Sequence, residues 1–376
     1  MSRKKAISAG HICLDITPAF KSKEEKDIQE IFEPGQLIAM EQAKVSLGGS
    51  VSNTGVGMKL LGADVELMGM VGNDAFGQMI LKELENYGVS AGTMIVRDDM
   101  GTSYSVILAP AGIDRIVLHC TGANDKFTLD DIDLARVKKA NLFHFGYPSL
   151  MRNMYVDGGR ELIRLLKTVH EQGVAISVDM AMFEESTEAG AQDWDAILKE
   201  IIPYIDFFVP SVEELCLMLD RERYHEWKAR AKGKDVTGIL DIEKDIKPLA
   251  DRLLSYGAKV ILIKCGSPGL YFRTAGKEKL MEIGGEIGKE LADTWADREA
   301  FEKSYLVKQV VSGTGAGDTT IAAFLTAILE GKDWQDTLHL AAATGALCVQ
   351  TYDALGGIIS LDEVQKKIDA GWEKRD

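Results

Sequence analysis

The run Val310-Val311-Ser312-Gly313-Thr314-Gly315-Ala316-Gly317-Asp318-Thr319-Thr320 leads straight into the apolar stretch 321–329. Glycines at alternate positions leave backbone N–H groups bare, and the helix predicted to follow aims the positive end of its dipole at the same point. That is the geometry of an anion site. A carboxylate beside a bound phosphate repels it, so Asp318 must serve otherwise, by holding and finally accepting the proton of an attacking hydroxyl. The pattern points to phosphoryl transfer to an alcohol. The competing reading is a glycine-rich loop whose Asp merely caps a helix.

Other residues have types suited to hydroxyl or metal chemistry. Asp15 is expected at the carboxyl end of the first strand, where α/β sheets bind ligands, although a strand-end Asp also caps turns. Gly48 and Gly49 precede a predicted helix with Asn53 in its first turn; paired glycines admit a ligand close to the backbone, and an amide both donates to and accepts from hydroxyls. A plain turn and helix cap competes with that view. The six histidines show no metal or protease spacing, and His119 reads as structural or solvent-facing. Cysteines 13, 120, 216, 265 and 348 form no Cys-x-x-Cys pair, so reduced, buried thiols are expected rather than a zinc knuckle or disulfides.

The elements that must position these residues alternate regularly. Strands are predicted at 6–15, 65–71, 141–145, 174–179, 207–209, 260–264 and 270–273. Helices are predicted from Gly49 to residue 61, then at 76–87, 154–170, 194–201, from Pro210 onward, 242–256, 334–351 and 361–372. Strands spaced by helices of this length imply a parallel sheet covered on both faces. Residues 93–119 break the pattern with three short strands (93–96, 103–109 and 113–119), which reads as a flap or lid whose Tyr104 and Arg115 are candidates to touch substrate. Thr128-Leu129-Asp130-Asp131 is a capping-box-like helix start. Two insertions interrupt the alternation: 221–241, read chiefly as exposed and solvated, and 284–306.

Composition narrows the partners. The chain has 376 residues, 46% of them hydrophobic and 27% charged, which suits a large soluble α/β protein. A net charge of −15 argues against a nucleic-acid or anionic-membrane partner. The basic start Met1 to Lys5 is followed by too short and too polar a stretch for a signal peptide, and no apolar run reaches 18 residues, so a cytoplasmic location is expected.

Taken in order, Gly10…Asp15, Gly48-Gly49…Asn53, Val71-Gly72-Asn73-Asp74-Ala75-Phe76-Gly77, Gly122-Ala123-Asn124, Glu214, Lys264-Cys265-Gly266-Ser267-Pro268-Gly269 and Gly315-Ala316-Gly317-Asp318 resemble the ribokinase-like (PfkB) carbohydrate kinases over nearly the whole chain. The resemblance implies a single α/β domain over residues 1–376. Its fold would be a three-layer α/β/α sandwich with a mainly parallel central sheet and a discontinuous β-strand lid from about 16–47 and 93–121. It implies an ATP-dependent kinase in which Asp318 is the base and the amides of Gly315, Ala316 and Gly317 form the anion hole. Asp15, Gly48, Gly49 and Asn53 would bind substrate hydroxyls. Lys264, Gly266, Gly269 and Ser211 would lie along the nucleotide, Glu214 would act on Mg²⁺ through water, and two copies would dimerise through the lid. This chain departs from the family's usual Asp-Thr at Ser312-Gly313, which puts a monovalent-cation site in doubt, and from its Asn at Ser211, which shortens a polar arm toward the phosphates.

The helix dipole is expected to keep Asp318 ionised and weakly basic. Few aromatics lie near the early substrate elements, which favours a small sugar such as ribose, fructose or 2-keto-3-deoxygluconate over a nucleoside base. The alternatives are a nucleoside kinase and a non-catalytic sugar-binding regulator on the same fold. A Rossmann dehydrogenase is disfavoured because Leu60 stands where its third glycine belongs, and no Gly-Lys-Ser/Thr of a P-loop occurs.

Overall fold

The computed structural model describes residues 4–22, 24, 27–111 and 115–375, so the basic start and the first residues of the strand expected at 113–119 fall partly outside the described residues. Fourteen strands are seen among them: β1 (Lys5–Gly10), β2 (Cys13–Thr17), β3 (Lys44–Gly48), β4 (Asp64–Met68), β5 (Met70–Gly72), β6 (Ile95–Arg97), β7 (Tyr104–Leu108), β8 (Ile116–Cys120), β9 (Leu142–Gly146), β10 (Ala175–Asp179), β11 (Phe207–Phe208), β12 (Val260–Lys264), β13 (Gly269–Thr274) and β14 (Glu299–Lys303). Eight form the central sheet in the order β14-β13-β12-β11-β10-β9-β1-β4. It is parallel from β4 to β12, and β13 and β14 close one edge antiparallel.

Successive side chains of a strand point to opposite faces, and the sheet is buried on both. Leu142, Ala175, Phe207, Val260 and Leu262 pack on one side with the helices Ser50–Leu61, Ala316–Leu329 and Trp334–Cys348. Phe143, Phe145, Ile176, Phe208, Ile261 and Ile263 pack on the other with the helices Arg152–His170, Trp194–Ile201 and Val212–Leu219. The three-layer α/β/α arrangement expected from the alternation is therefore present.

Several expectations need correction. The first strand is two: the chain breaks at His11-Ile12, where Gly10 takes φ +121°, and β2 leaves the central sheet for a second one. Asn124 pins this break, donating to the Ile12 carbonyl at 2.9 Å and accepting from the Ile12 N–H at 3.3 Å. Residues 221–241 are not chiefly a solvated loop, because the helix Arg221–Ala231 buries Tyr224, Trp227 and Ala231. Residues 284–306 are not excluded from the alternation either; they supply the helix Ile287–Trp295 and β14. The expected helix over 154–170 is broken at Val156–Gly159, where Asp157, Gly158 and Gly159 adopt positive φ. The capping box at Thr128 forms with Asp131, but on a short 3₁₀ turn.

The second sheet has the order β3-β2-β7-β8; β2 starts before the expected lid region 16–47, and the strand expected at 93–96 lies instead in β6, which pairs with β5 in a separate two-stranded sheet. Among the described residues no helix is long and apolar enough to cross a membrane. Four of the five cysteines are buried; Cys120, on β8, is exposed, against the expectation that all are buried.

Candidate active site

Two helices start on glycines in the left-handed region: Gly49, φ +83°, before Ser50–Leu61, and Gly315, φ +75°, before Ala316–Leu329. A Cβ on Gly49 would fall 2.7 Å from the His11 carbonyl, and one on Gly315 would fall 2.1 Å from the Ala354 Cβ, so both turns require glycine. The first turns of these helices meet. Asn53 Nδ2 donates to Asp318 Oδ2 at 3.0 Å, and Thr54 Oγ1 donates to Oδ1 at 3.3 Å. Tyr147, which follows β9 with φ +65°, donates its hydroxyl to Oδ1 at 2.7 Å.

Asp318 is buried, and the sign of its pKa shift is opposite to the one expected from the helix dipole. Loss of hydration raises its carboxyl above the ordinary value, and the Tyr147 hydroxyl, the Lys264 charge and the Asn53 and Thr54 donors only partly oppose this. The dipole acts on a group already removed from water, where desolvation outweighs it.

Lys264 closes β12, and its Nζ donates to Asp179 Oδ1, at the end of β10, at 2.6 Å. Burial would pull the ammonium down, but Asp179 and then Glu214 hold it above its ordinary value, so it stays cationic. It lies against the helix start: a Cβ on Gly317 would fall 3.4 Å from the Lys264 methylenes. Ser211 caps the helix Val212–Leu219 in a capping box, its N–H donating to Glu214 Oε2 at 2.8 Å. The arm that the shortened Ser211 side chain leaves is therefore engaged with its own helix.

Lys264, Gly266, Gly269, Ser211, Glu214, Gly315, Ala316, Gly317 and Asp318 all line one cleft of about 560 Å³, together with Tyr147, Asp179, Arg115 and Thr237. Gly266, φ +61°, and Gly269, whose added Cβ would fall 2.0 Å from the Glu302 carbonyl, are also required by the turn itself. Both regions read as insertions reach the cleft, through Thr237 from one and Ser304 and Tyr305 from the other.

The remaining predicted residues, Asp15, Gly48, Gly49 and Asn53, do not line that cleft and reach it through the Asn53 contact to Asp318. Asp15 on β2 is buried, which raises its carboxyl despite the Ser105 and Cys13 hydrogen bonds, and it is near enough to Asp318 for each charge to affect the other. Gly48 faces it directly, for a Cβ there would fall 2.4 Å from the carboxyl oxygens. Asn53 joins this group to Asp318. Arg115, just before β8, donates from Nη1 to Thr314 Oγ1 of the glycine run at 2.7 Å, whereas Tyr104 packs edge-on to Phe76 at 5.6 Å.

Sequence reasoning missed Tyr147 and Asp179. Both stand at carboxyl ends of central strands, the position that had singled out Asp15, and that rule applied to β9 and β10 would have found them. It also missed His144, held between Ser50 and Ser177 at 3.1 Å on each side and pushed by burial down to about 3, hence neutral.

A buried carboxylate at a glycine-rich helix start, where the Ala316 N–H makes only a long 3.4 Å bond to the Gly313 carbonyl, at the carboxyl ends of a parallel sheet beside a second small sheet, defines a ribokinase-like phosphotransferase architecture. The sequence profile described as pfkB family carbohydrate kinase matches residues 11–359, and the chain belongs to that family, whose members are phosphotransferases acting on a sugar hydroxyl. It is similar to an uncharacterized sugar kinase of Archaeoglobus fulgidus, 24% identical over 81% of this chain and 98% of that protein. A 5-dehydro-2-deoxygluconokinase of Clostridium perfringens is 23% identical over 96% of this chain and 92% of that protein. Among solved structures, Arabidopsis thaliana ribokinase complexed with ribose and ATP superposes with a TM-score of 0.70 at 22% identity, covering 97% of this chain and 98% of that one. A putative ribokinase II from E. coli in complex with ATP and Mg²⁺ superposes with a TM-score of 0.71 at 20% identity, covering 98% and 99%. These likenesses establish the fold.

Proposed function

We propose that this sugar kinase transfers the γ-phosphoryl group of ATP to a hydroxyl of a small carbohydrate of the ribose, fructose or 2-keto-3-deoxygluconate type. The observation that carries the reading is the Asp318 carboxylate, held by Tyr147, Asn53 and Thr54 in the first turn of a helix whose opening residues line the same cleft as Lys264. A sugar hydroxyl donates to Asp318 while the moving phosphoryl group rests on the N–H groups of Gly315, Ala316 and Gly317, which keeps nucleophile and electrophile in line. Because the transition state is loose, the carboxylate mainly orients the hydroxyl and takes its proton late.

Asp15, Gly48, Gly49 and Asn53 hold the sugar, the bare Gly48 leaving room for the Asp15 carboxyl itself. Lys264, Gly266, Gly269 and Ser211 follow the nucleotide. Asp179 feels the charges of Glu214 and Asp318, but Lys264 engages Asp179 and three donors engage Asp318, so Glu214 is the carboxylate of the three assigned to the metal. Glu214 would hold Mg²⁺ there through water, and the bound ion would offset the β/γ-phosphate charge. With Ser312-Gly313 in place of Asp-Thr, dependence on a monovalent cation is not part of the proposal. The second sheet serves as a lid that excludes water, with Arg115 as its tie to the glycine run. A homodimer formed through that lid is part of the reading. A cytoplasmic location completes the reading.

The test is ADP release from ATP and Mg²⁺ with a panel of pentoses, hexoses, keto-deoxy acids and nucleosides. Release with a sugar class is expected, and Asp318→Ala should lose at least about 10²-fold in turnover while ATP affinity stays within a few-fold. A variant keeping more than about a hundredth of the rate would overturn the base assignment. Sugar binding without ADP release would instead indicate a regulator, and preference for nucleosides a nucleoside kinase.

A further inference from the structure

His11, Cys13 and His119 take no part in the reaction described above, yet each brings one ligand atom to a cluster whose atoms lie within 4.8 Å of one another. The chain path explains why they meet. Register across the second sheet sets Asp15 opposite Ser105 and Ser105 opposite His119, and Cys13 shares the Asp15 face two residues earlier. His11 stands in the break between β1 and β2. Two imidazoles and a thiol, 106 or more residues apart where His119 is concerned, thus converge where the second sheet joins the central one.

The geometry suits an ion. His11 Nε2 and His119 Nε2 are 3.2 Å apart. Tetrahedral zinc with Zn–N bonds of roughly 2.0–2.1 Å sets two nitrogens about 3.3–3.4 Å apart, so little movement would admit it. Among the described residues the Cys13 Sγ has only long contacts, 3.4 Å to Asp15 Oδ1 and 3.8 Å to Ser105 Oγ. Ser105 Oγ lies 3.1 Å from His119 Nδ1, the outer contact that orients a ligating imidazole. Among the described residues the buried His11 Nδ1 has no partner, so its ring is under-satisfied there.

We propose that His11, Cys13 and His119 form a three-ligand site for a soft divalent transition-metal ion of the Zn²⁺ class, which ties β8 to the junction of the two sheets. Two imidazoles and a thiolate select such ions over Mg²⁺, which demands oxygen. Binding releases the thiol proton to solvent as the metal–sulfur bond forms. Since Cys13 contacts Asp15, the ion would also fix the carboxylate assigned to the sugar. That consequence rests on the proposed substrate site, whereas ion binding does not.

The experiment is a Co²⁺ titration of the full chain, stripped of metal and kept reduced without thiol reagents, read by the thiolate-to-cobalt charge-transfer band and the visible bands of tetrahedral cobalt. A band saturating at one ion per chain is expected, undiminished by excess Mg²⁺ and by Cys120→Ser. It should vanish in Cys13→Ser, and in His119→Gln the affinity should fall by at least the roughly 10–100-fold typical of outer-shell changes. Should Cys13→Ser fail to fold, His119→Gln decides, because His119 is exposed on the second sheet. Absence of a thiolate band, its survival in Cys13→Ser or in His119→Gln at unchanged affinity, or its loss in Cys120→Ser overturns the site.

Discussion

Asp318 must be ionised to orient a hydroxyl, yet its burial favours the neutral acid, and the three donors around it offset that only in part. A carboxyl whose folded pKa is raised makes stability fall as pH climbs from its unfolded value, about 3.9, through the folded one. Asp318→Asn removes that charge while its carbonyl still accepts from Tyr147 and Thr54. The Asn53 amide can turn to offer the new NH₂ its own Oδ1, which is buried and has no partner among the described residues. The variant should therefore melt higher than the parent at pH 7, the two should converge as pH falls toward about 4, and turnover should drop by about 10²–10⁴. A lower melting temperature at pH 7 would show that the charge stabilises the fold. Tyr147→Phe deletes a hydrogen bond to a charged group, a class of contact worth about 1.5–3 kcal/mol. The acid limb of kcat/KM should shift upward by about one to two pH units, at 1.36 kcal/mol per unit. An unmoved limb would separate Tyr147 from the titration of Asp318.

At the scale of elements, the glycine run contains glycines with different duties. Gly315 combines φ +75° with an added Cβ 2.1 Å from Ala354, so Gly315→Ala should lose about 1–3 kcal/mol of stability to backbone strain before any effect on phosphate is considered. Gly317 has no positive φ, and a Cβ there meets the flexible Lys264 side chain, its methylenes at 3.4 Å and its Nζ at 3.7 Å. Gly317→Ala should therefore melt near the parent while its methyl group obstructs the anion site and turnover falls by at least tenfold. Melting curves set beside ADP release separate the two, and equal losses of stability would refute the distinction. The helix Arg221–Ala231 teaches a related lesson. Six Lys and Arg residues lie in 221–241, which read as a solvated loop, but charged heads extend to water while Trp227 is fully buried and donates to Asp245 Oδ1 at 3.1 Å. Charge counts over a segment conceal one inward stripe.

Across the whole molecule, stability and chemistry occupy opposite ends of the same strands. Lys264 follows the apolar run of β12 at the cleft, while Lys259 precedes β12 at the far edge, wholly buried against Asp206 at 3.0 Å. Lys259 also donates to the Pro203 and Ile205 carbonyls, and Asp206 accepts from Ile176 N–H at 2.8 Å. Lys259→Met should cost about 3–5 kcal/mol, because it leaves Asp206 charged and unpaired in the core. Denaturant unfolding would measure this; since the pair lies away from the cleft, the surviving folded fraction should keep the parent KM for ATP. A changed KM with unchanged stability would contradict the separation.

The order of strands and helices, the sheet's two apolar faces and the positions of the glycines beside Asp15 and Asp318 were legible in the chain, because periodicity, capping and turn chemistry act over a few residues. The fold family followed from those local marks in sequence. Tertiary structure alone decided that Tyr147 and Asp179 join the cleft, that β1 breaks from β2, that both insertions are built into the core, and that His11 meets His119. Each depends on contacts between residues distant in sequence. The sign of the Asp318 shift belongs with these, since a helix start can be read from neighbouring residues whereas removal from water is the work of every element packed around the group.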